Sequence, residues 1–503
     1  MNNEKGNGIK KRKPGALNIA LIAAVAMLAG TVIFAGIRLM TRGSEGSSGN
    51  SGNSGNSGIE ETVSGEAETG DETADSPGQE AGTEKEDNSG QVVDTEKADI
   101  LGQEAETEKA DTPEQGAEPE KADATGQDTG AEKQDALISG NSDAAQVKTE
   151  KDTAETNKLA EEIMDSMTLH EKVCQLFMVY PSAITGAKKV TVAGDATRSA
   201  LEKYPVGGFL YNATNMENAQ QLKKMLTGVQ EMTFVPLFLA CDEEGGRVAR
   251  LMENIGTTRI DAMYTYKDEG TEKAYENAFT IASDMNSVGM NLDFAPVADV
   301  WSNPDNKVIG DRAYSDDFEQ AALLVGAAVG GFHDGGVACT LKHFPGHGDT
   351  TEDTHVGSAY AYKSIEELRD EEFLPFKAGI DAGADAVMIA HIILEDVSDE
   401  PALFSKQIVT GILRGELGFD GVVITDALEM GAIAENYTSG EAVLKCLDAG
   451  VDVLLCPEDF YEAVSAIEVA LLNGELTEER IDESVRRILR MKIDMGLING
   501  EKS

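Results

Sequence analysis

A (β/α)8 barrel is the fold class that the sequence predicts, and three observations carry it. From about residue 155 onward, short apolar runs alternate with longer amphipathic segments, the pattern of a parallel sheet wound with crossover helices. Eight such runs occur, the number that closes a barrel of this type. No Gly-x-Gly-x-x-Gly follows the first run, and the pair Gly245-Gly246 comes after Asp242-Glu243-Glu244. That acidic triplet would repel a pyrophosphate, which argues against an open dinucleotide-binding sheet.

The elements follow in order. Thr168 and Glu171, in Met167-Thr168-Leu169-His170-Glu171-Lys172, fit a capping box and open a helix. The apolar runs at 176–179 and 207–211 are the first two strands, and a helical period over 215–230 carries the chain to the third at 236–241. Helix 273–287 leads to strand 290–296, helix 317–333 to strand 338–343, and helix 365–382 follows. Strands 386–391, 421–425 and 451–456 complete the eight, with helices at 440–449 and 462–472. Asp242, Lys342, His343, His391 and Asp426 each end or directly follow a predicted strand. Barrel enzymes build their sites on that carboxyl-terminal rim, and so many polar groups there are hard to explain by packing.

Three of the six histidines, His343, His347 and His355, lie within Lys342-His343-Phe344-Pro345-Gly346-His347-Gly348-Asp349-Thr350-Thr351-Glu352-Asp353-Thr354-His355. Histidine passes protons near neutral pH, and a carboxylate two residues away can hold the ring and raise its basicity. Acid–base chemistry is the first hypothesis. A helical zinc motif is excluded, because Pro345 and Gly346 separate His343 from His347 and a helix does not run comfortably through that pair. A loop-built metal site from His343, His347, Asp349, Asp353 and His355 stays open, as does a network that only hydrogen-bonds a long loop.

Ahead of the barrel the composition changes. Residues 16–37 carry no charge and are long enough to span a bilayer at about 1.5 Å per residue. Lys5, Lys10, Lys11, Arg12 and Lys13 precede this run, against Arg38 and Arg42 after it, so residues 1–15 are expected to form a cytoplasmic tail. An uncleaved signal anchor is favoured over a cleaved peptide: Ala24-Val25-Ala26 suits cleavage, but the apolar run continues past it. Residues 43–153 hold few groups to bury, and Lys85, Lys97, Lys109, Lys121 and Lys133 mark a low-complexity repeat of period about twelve. A disordered acidic linker is expected, with the catalytic part outside the cell membrane. The net charge of −48 disfavours nucleic acid as a partner. Five cysteines, an odd number in apolar contexts, read as buried free thiols rather than a disulfide framework.

Three motifs in order, the Lys342–Gly348 run with Asp353-Thr354-His355, Asp242-x-Glu244-Gly245-Gly246-Arg247-Val248, and Val423-Ile424-Thr425-Asp426, resemble the family 3 glycoside hydrolases, in their β-N-acetylglucosaminidase branch. The likeness covers residues 155–500, and it implies an exo-acting, retaining mechanism through a covalent glycosyl-enzyme. By position in the motifs, Asp426 is then the nucleophile, His355 the acid/base and Asp353 the group that orients His355. Asp242, Arg250, Arg312, Lys342 and His343 match positions that hold the sugar. The resemblance implies a carbohydrate substrate, with no metal and no cofactor. Glu243, where glutamine is frequent, and Ala427, where a second acid often follows, depart from the pattern without removing a catalytic group. His347, Asp349 and His391 are expected as loop and rim support, with a direct substrate role as the alternative, His170 and His333 as helix surface or core residues, and Trp301 either beside the sugar or in packing. The competing functions are a metal-dependent barrel hydrolase and a non-catalytic wall-binding module.

Overall fold

Thr168 caps the first barrel helix as its sequence predicts. Its side chain accepts the Glu171 N–H at 3.3 Å, while the Glu171 carboxylate accepts the Thr168 N–H at 2.7 Å. The structure, a computed structural model, describes residues 153–350, 357 and 359–499. The expected tail, anchor and linker therefore lie outside the described residues except for Thr153, and so do Asp353 and His355.

Helix α1 (Leu169–Gln175) leads into β1 (Phe177–Val179), followed by β2 (Gly208–Leu210), β3 (Phe238–Cys241) and β4 (Leu292–Asp293). Then come β5 (Ala338–Phe344), β6 (Ala386–Ile389), β7 (Val422–Thr425) and β8 (Leu454–Leu455). Each of the eight apolar runs thus contains a strand. The eight form one sheet, and every pairing within it is parallel. β1 pairs with β8 through Phe177 and Leu454, and β7 meets β8 at the Ile424–Val453 bridge. The sheet therefore curls into a nearly closed barrel. Helices cover its outer face, so strand residues are buried on both sides, as all seven of β5 are. That double burial is why the runs read as continuously apolar rather than alternating.

The helices outside are α2 (Asp195–Lys203), α3 (Ala219–Gln230), α4 (Thr271–Val288), α5 (Phe318–Gly335), α6 (Phe373–Asp381), α7 (Ser439–Ala449) and α8 (Phe460–Asn473). Two expectations need correction. The helix anticipated from 215 begins at Ala219, because Asn218 caps it by accepting the Gln221 N–H at 2.9 Å. The single helix anticipated over 365–382 is two, Ile365–Asp370 and Phe373–Asp381, with Glu371 between them at φ −129° and ψ −94°. Pro375 explains the break, since it has no N–H to donate and its ring obstructs the carbonyl four residues back. Unanticipated elements are α2, a π-helix at Gln407–Glu416, an antiparallel pair (Glu243–Gly245 with Val248–Ala249) and a parallel pair (Ala359–Ala361 with Ile392–Leu394).

The last helix, α9 (Glu478–Asp494), was also unanticipated, and it lies across the foot of the barrel. Lys492 donates to the Gln175 side chain and to the Gly207 carbonyl, both at 2.9 Å, just ahead of β1 and β2. Ser484 and Arg487 reach Asp452 ahead of β8 at 2.7 and 3.2 Å, and Arg490 reaches Asp420 ahead of β7 at 2.9 Å. Lys492 is fully buried, which pushes its ammonium down to about 7. The helix that ends at residue 164 is fastened to α9 as well, through Thr156 to Asp494 at 3.1 Å and Arg486 to Glu161. All five cysteines are buried and free. Among the described residues no helix is long and apolar enough to cross a membrane.

Candidate active site

At the opposite end of the barrel, four charged side chains from distant parts of the chain form one network. Lys342 in β5 donates to Asp242, just past β3, at 2.9 Å and to Glu244 at 2.6 Å. Glu244 in turn takes a two-pronged bond from Arg312, with Nε and Nη2 each at 2.8 Å. Two anions balance two cations, the arrangement that makes buried charge tolerable. Glu244 and Lys342 are almost fully enclosed, whereas Asp242 is 28% exposed, so the network opens toward solvent at Asp242. Burial would raise the Glu244 carboxyl, but the Arg312 and Lys342 charges hold it well below the usual carboxylate range. For Lys342 burial works downward, and the two carboxylates outweigh it.

The chain between these acids needs its glycines. Gly245 and Gly246 have φ of +89° and +57°, the left-handed region that glycine enters without cost. The resulting turn returns the chain so that Glu243 caps the short helix Arg250–Ile255, accepting the Leu251 and Met252 N–H groups at 2.6 and 3.0 Å. Burial pushes the Glu243 carboxyl up to about 7 against those two bonds. Arg250 donates its N–H to the Asp242 carbonyl at 3.2 Å, and its guanidinium lowers Glu243 electrostatically.

His343 is held by an acid from the neighbouring β4 segment. Asp299, fully enclosed, accepts from His343 Nδ1 at 2.6 Å and from the His343 N–H at 3.1 Å through Oδ2; its other oxygen accepts the His347 N–H at 2.6 Å. A carboxylate acceptor fixes the proton on Nδ1 and leaves Nε2 for the pocket. Burial would raise Asp299, but the His343 charge and hydrogen bond keep it low. Alternation along a strand would send Lys342 and His343 to opposite faces. The register of β5 against β6 shifts between Leu341 and Phe344, and such an irregularity re-aims side chains. The loop then presses against the chain beyond β4: a Cβ at Gly348 would lie 1.6 Å from the Val300 carbonyl oxygen, so no side chain fits there.

Asp426 follows β7. Its Oδ1 accepts the Ala427 N–H at 2.7 Å, and no described residue is hydrogen-bonded to Oδ2. Burial would raise this carboxyl as well, but the His391 and His343 rings, the Ala427 N–H and Lys342 together hold it below the ordinary aspartate value. An ionised, oriented carboxylate results. His391, two residues past β6, is fully buried against Asp426, and burial lowers its basicity. His347 accepts or donates at Nδ1 with the Thr350 hydroxyl at 2.8 Å, and its carbonyl accepts from Asn306 at 2.7 Å, which is a loop-supporting role. The Asp349 carbonyl accepts from Asn303 at 3.1 Å. Trp301 packs edge-on against Tyr264, ring centres 5.1 Å apart.

Of the anticipated site residues, Asp242, Lys342, His343 and Asp426 therefore share one rim. Arg312 joins through Glu244, and Arg250 stands beside Glu243. His170 bridges Glu468 at 2.7 Å and the Lys203 carbonyl at 2.8 Å, away from the rim. Glu244 and Asp299 hold the candidate site together and were not among the residues anticipated for it, although Glu244 stood inside a quoted motif. Among the described residues one group could hold a metal ion, His333 with Cys339 and Asp385, and it lies at the foot, where β5 and β6 begin.

A nearly closed parallel barrel with an ionised carboxylate and a balanced charge network on its carboxyl-terminal rim is, by class, a (β/α)8-barrel enzyme. The chain belongs to glycosyl hydrolase family 3: the model of the glycosyl hydrolase family 3 N terminal domain matches residues 168–491. A β-hexosaminidase of Xylella fastidiosa strain M23 is 41% identical over 274 residues, which are 53% of this chain and 81% of the relative. One from Stenotrophomonas maltophilia strain K279a is 39% identical over 283 residues, 55% of this chain and 84% of the relative. The structure of a family 3 β-N-acetylglucosaminidase from Paenibacillus sp. FPU-7 superposes with a TM-score of 0.63 at 39% identity, covering 67% of this chain and 64% of that one.

Proposed function

We propose that the protein is an exo-acting, retaining β-N-acetylglucosaminidase that removes terminal N-acetylglucosamine from cell-wall-derived or related glycans. The observation that carries this reading is the Asp426 carboxylate at the end of β7, one oxygen fixed by the Ala427 N–H and the group held below the ordinary aspartate value by the His391 and His343 rings. Family membership and the β-hexosaminidase relatives support it. In this mechanism Asp426 attacks the anomeric carbon while His355, oriented by Asp353, protonates the departing oxygen. Water, activated by the same histidine, then releases the sugar. A neutral imidazole left after proton donation adds no second negative charge beside Asp426. Asp242, Lys342 and His343 hold hydroxyl groups, with Arg250 and Arg312 flanking, because charged donors and acceptors reject a sugar that leaves them unpaired.

The test is turnover of an aryl β-N-acetylglucosaminide with retention at the anomeric carbon, in the presence of excess EDTA. Hydrolysis is expected to survive chelation. Loss of activity with EDTA and its return with zinc would point to a metal-dependent hydrolase, and tight glycan binding without turnover to a wall-binding module.

For location, the uncharged run of residues 16–37 and the basic cluster before it support a single-pass anchor with the barrel outside the cell. Full-length protein is then expected to sediment with membranes, and protease added to intact cells to release an active fragment by cutting the linker. Activity confined to the cytosol would refute this topology.

A further inference from the structure

We propose that His391 is a specificity-determining residue that hydrogen-bonds the substituent on C2 of the sugar, and so helps select a 2-acetamido sugar over one with a hydroxyl there. The inference rests on the glycosidase reading and deepens it.

The first observation is an unmatched pair of polar atoms. His391 is 0% exposed, and neither ring nitrogen meets hydrogen-bond geometry with any described residue, although the ring lies close to the Asp426 backbone. Every other histidine they include is engaged: His343 by Asp299, His347 by Thr350, His170 by Glu468 and Lys203, His333 by Asp385. A buried, unmade hydrogen bond costs about 1–3 kcal/mol, so a ring left with two of them calls for an explanation that packing does not supply.

The second observation is position. The ring stands against Asp426, within electrostatic reach of His343 and His347, directly after a barrel strand. Covalent catalysis puts the anomeric carbon on the free oxygen of Asp426. That carbon has two ring neighbours, the ring oxygen and C2. The ring oxygen becomes electron-poor in the oxocarbenium-like transition state and is then a weak acceptor, while hydrogen bonds to the C2 substituent strengthen there. A hydrogen-bonding ring beside the nucleophile therefore serves C2. A neutral imidazole has one donor and one acceptor, and an acetamido group answers both, with its carbonyl and its N–H. A hydrophobic wall at this place would discriminate poorly between the two substituents.

The experiment compares two substrates with the same aryl leaving group, the β-N-acetylglucosaminide and the β-glucoside, which differ only at C2. The readout is the ratio of their kcat/KM values in wild type, His391→Leu and His391→Gln. Leucine is expected to lower the preference for the acetamido sugar by roughly 10- to 100-fold, nearly all of it from the acetamido substrate, and glutamine to restore part of it. An unchanged ratio, or equal losses on both substrates, would overturn the inference and leave His391 as packing. If leucine does not fold, His391→Asn, which keeps a donor and an acceptor at shorter reach, is judged by the same ratio. If wild type hydrolyses neither substrate, the glycosidase reading itself fails, an outcome distinct from an unaltered ratio.

Discussion

Replacing Asp426 by alanine is expected to lower the hydrolysis of aryl β-N-acetylglucosaminides by about 10⁴-fold or more, whatever the leaving group. The carboxylate is the attacking atom in the proposed first step, and no leaving group compensates for its absence. Among the described residues its side chain makes one hydrogen bond, to the adjacent Ala427 N–H, so unfolding by urea should change far less than activity. His355→Ala should behave differently. A leaving group that departs readily as an anion needs little protonation and suffers less than a sugar aglycone, and azide should rescue the second step. Comparable losses for both leaving groups in His355→Ala, with no glycosyl azide formed, would remove His355 as acid/base. Near-normal turnover by Asp426→Ala would remove the nucleophile assignment.

The second large effect concerns stability. Glu244→Ala strips a nearly inaccessible anion from between Lys342 and Arg312, leaving Arg312 without its carboxylate. Breaking a buried pair from one side costs about 3–5 kcal/mol, measurable as a lower urea midpoint at unchanged slope. Lys342 keeps Asp242 as a partner, so sugar binding should weaken through misplacement rather than vanish. The pH dependence has a definite sign. A carboxyl held below its unfolded value contributes stability that is present above that value, about 4.3 for glutamate, and is lost as the pH falls toward the depressed folded one. The gap between wild type and Glu244→Gln should therefore be full near neutrality and narrow only below about pH 4. A gap that is constant with pH would mean that the Glu244 charge does not stabilise the fold.

Which parts of this could be read from the chain follows from the range of the interactions. Strands buried on both faces leave continuous apolar runs, and these marked all eight barrel strands. Residues projecting from their ends were visible for the same reason, so Asp242, Lys342, His343 and Asp426 could be placed on the rim before any coordinates. Glu244 and Asp299 could not be assigned, because each acts on side chains tens of residues away: Glu244 on Arg312 and Lys342, Asp299 on His343. Nothing local distinguishes such an acid from a solvated one. The broken helix at Glu371 is another matter, since Pro375 stood in plain view and its meaning was local. The helix that crosses the foot was missed because its partners are the residues just before β1, β2, β7 and β8, which converge only once the barrel has closed.

That crossing helix also fixes where the first described residues meet the barrel. The first described helix is stapled to it by Thr156 with Asp494 and by Glu161 with Arg486, so the first described residues sit at the pole opposite the catalytic mouth, and a strain on that helix is borne by the foot of the barrel rather than by the rim.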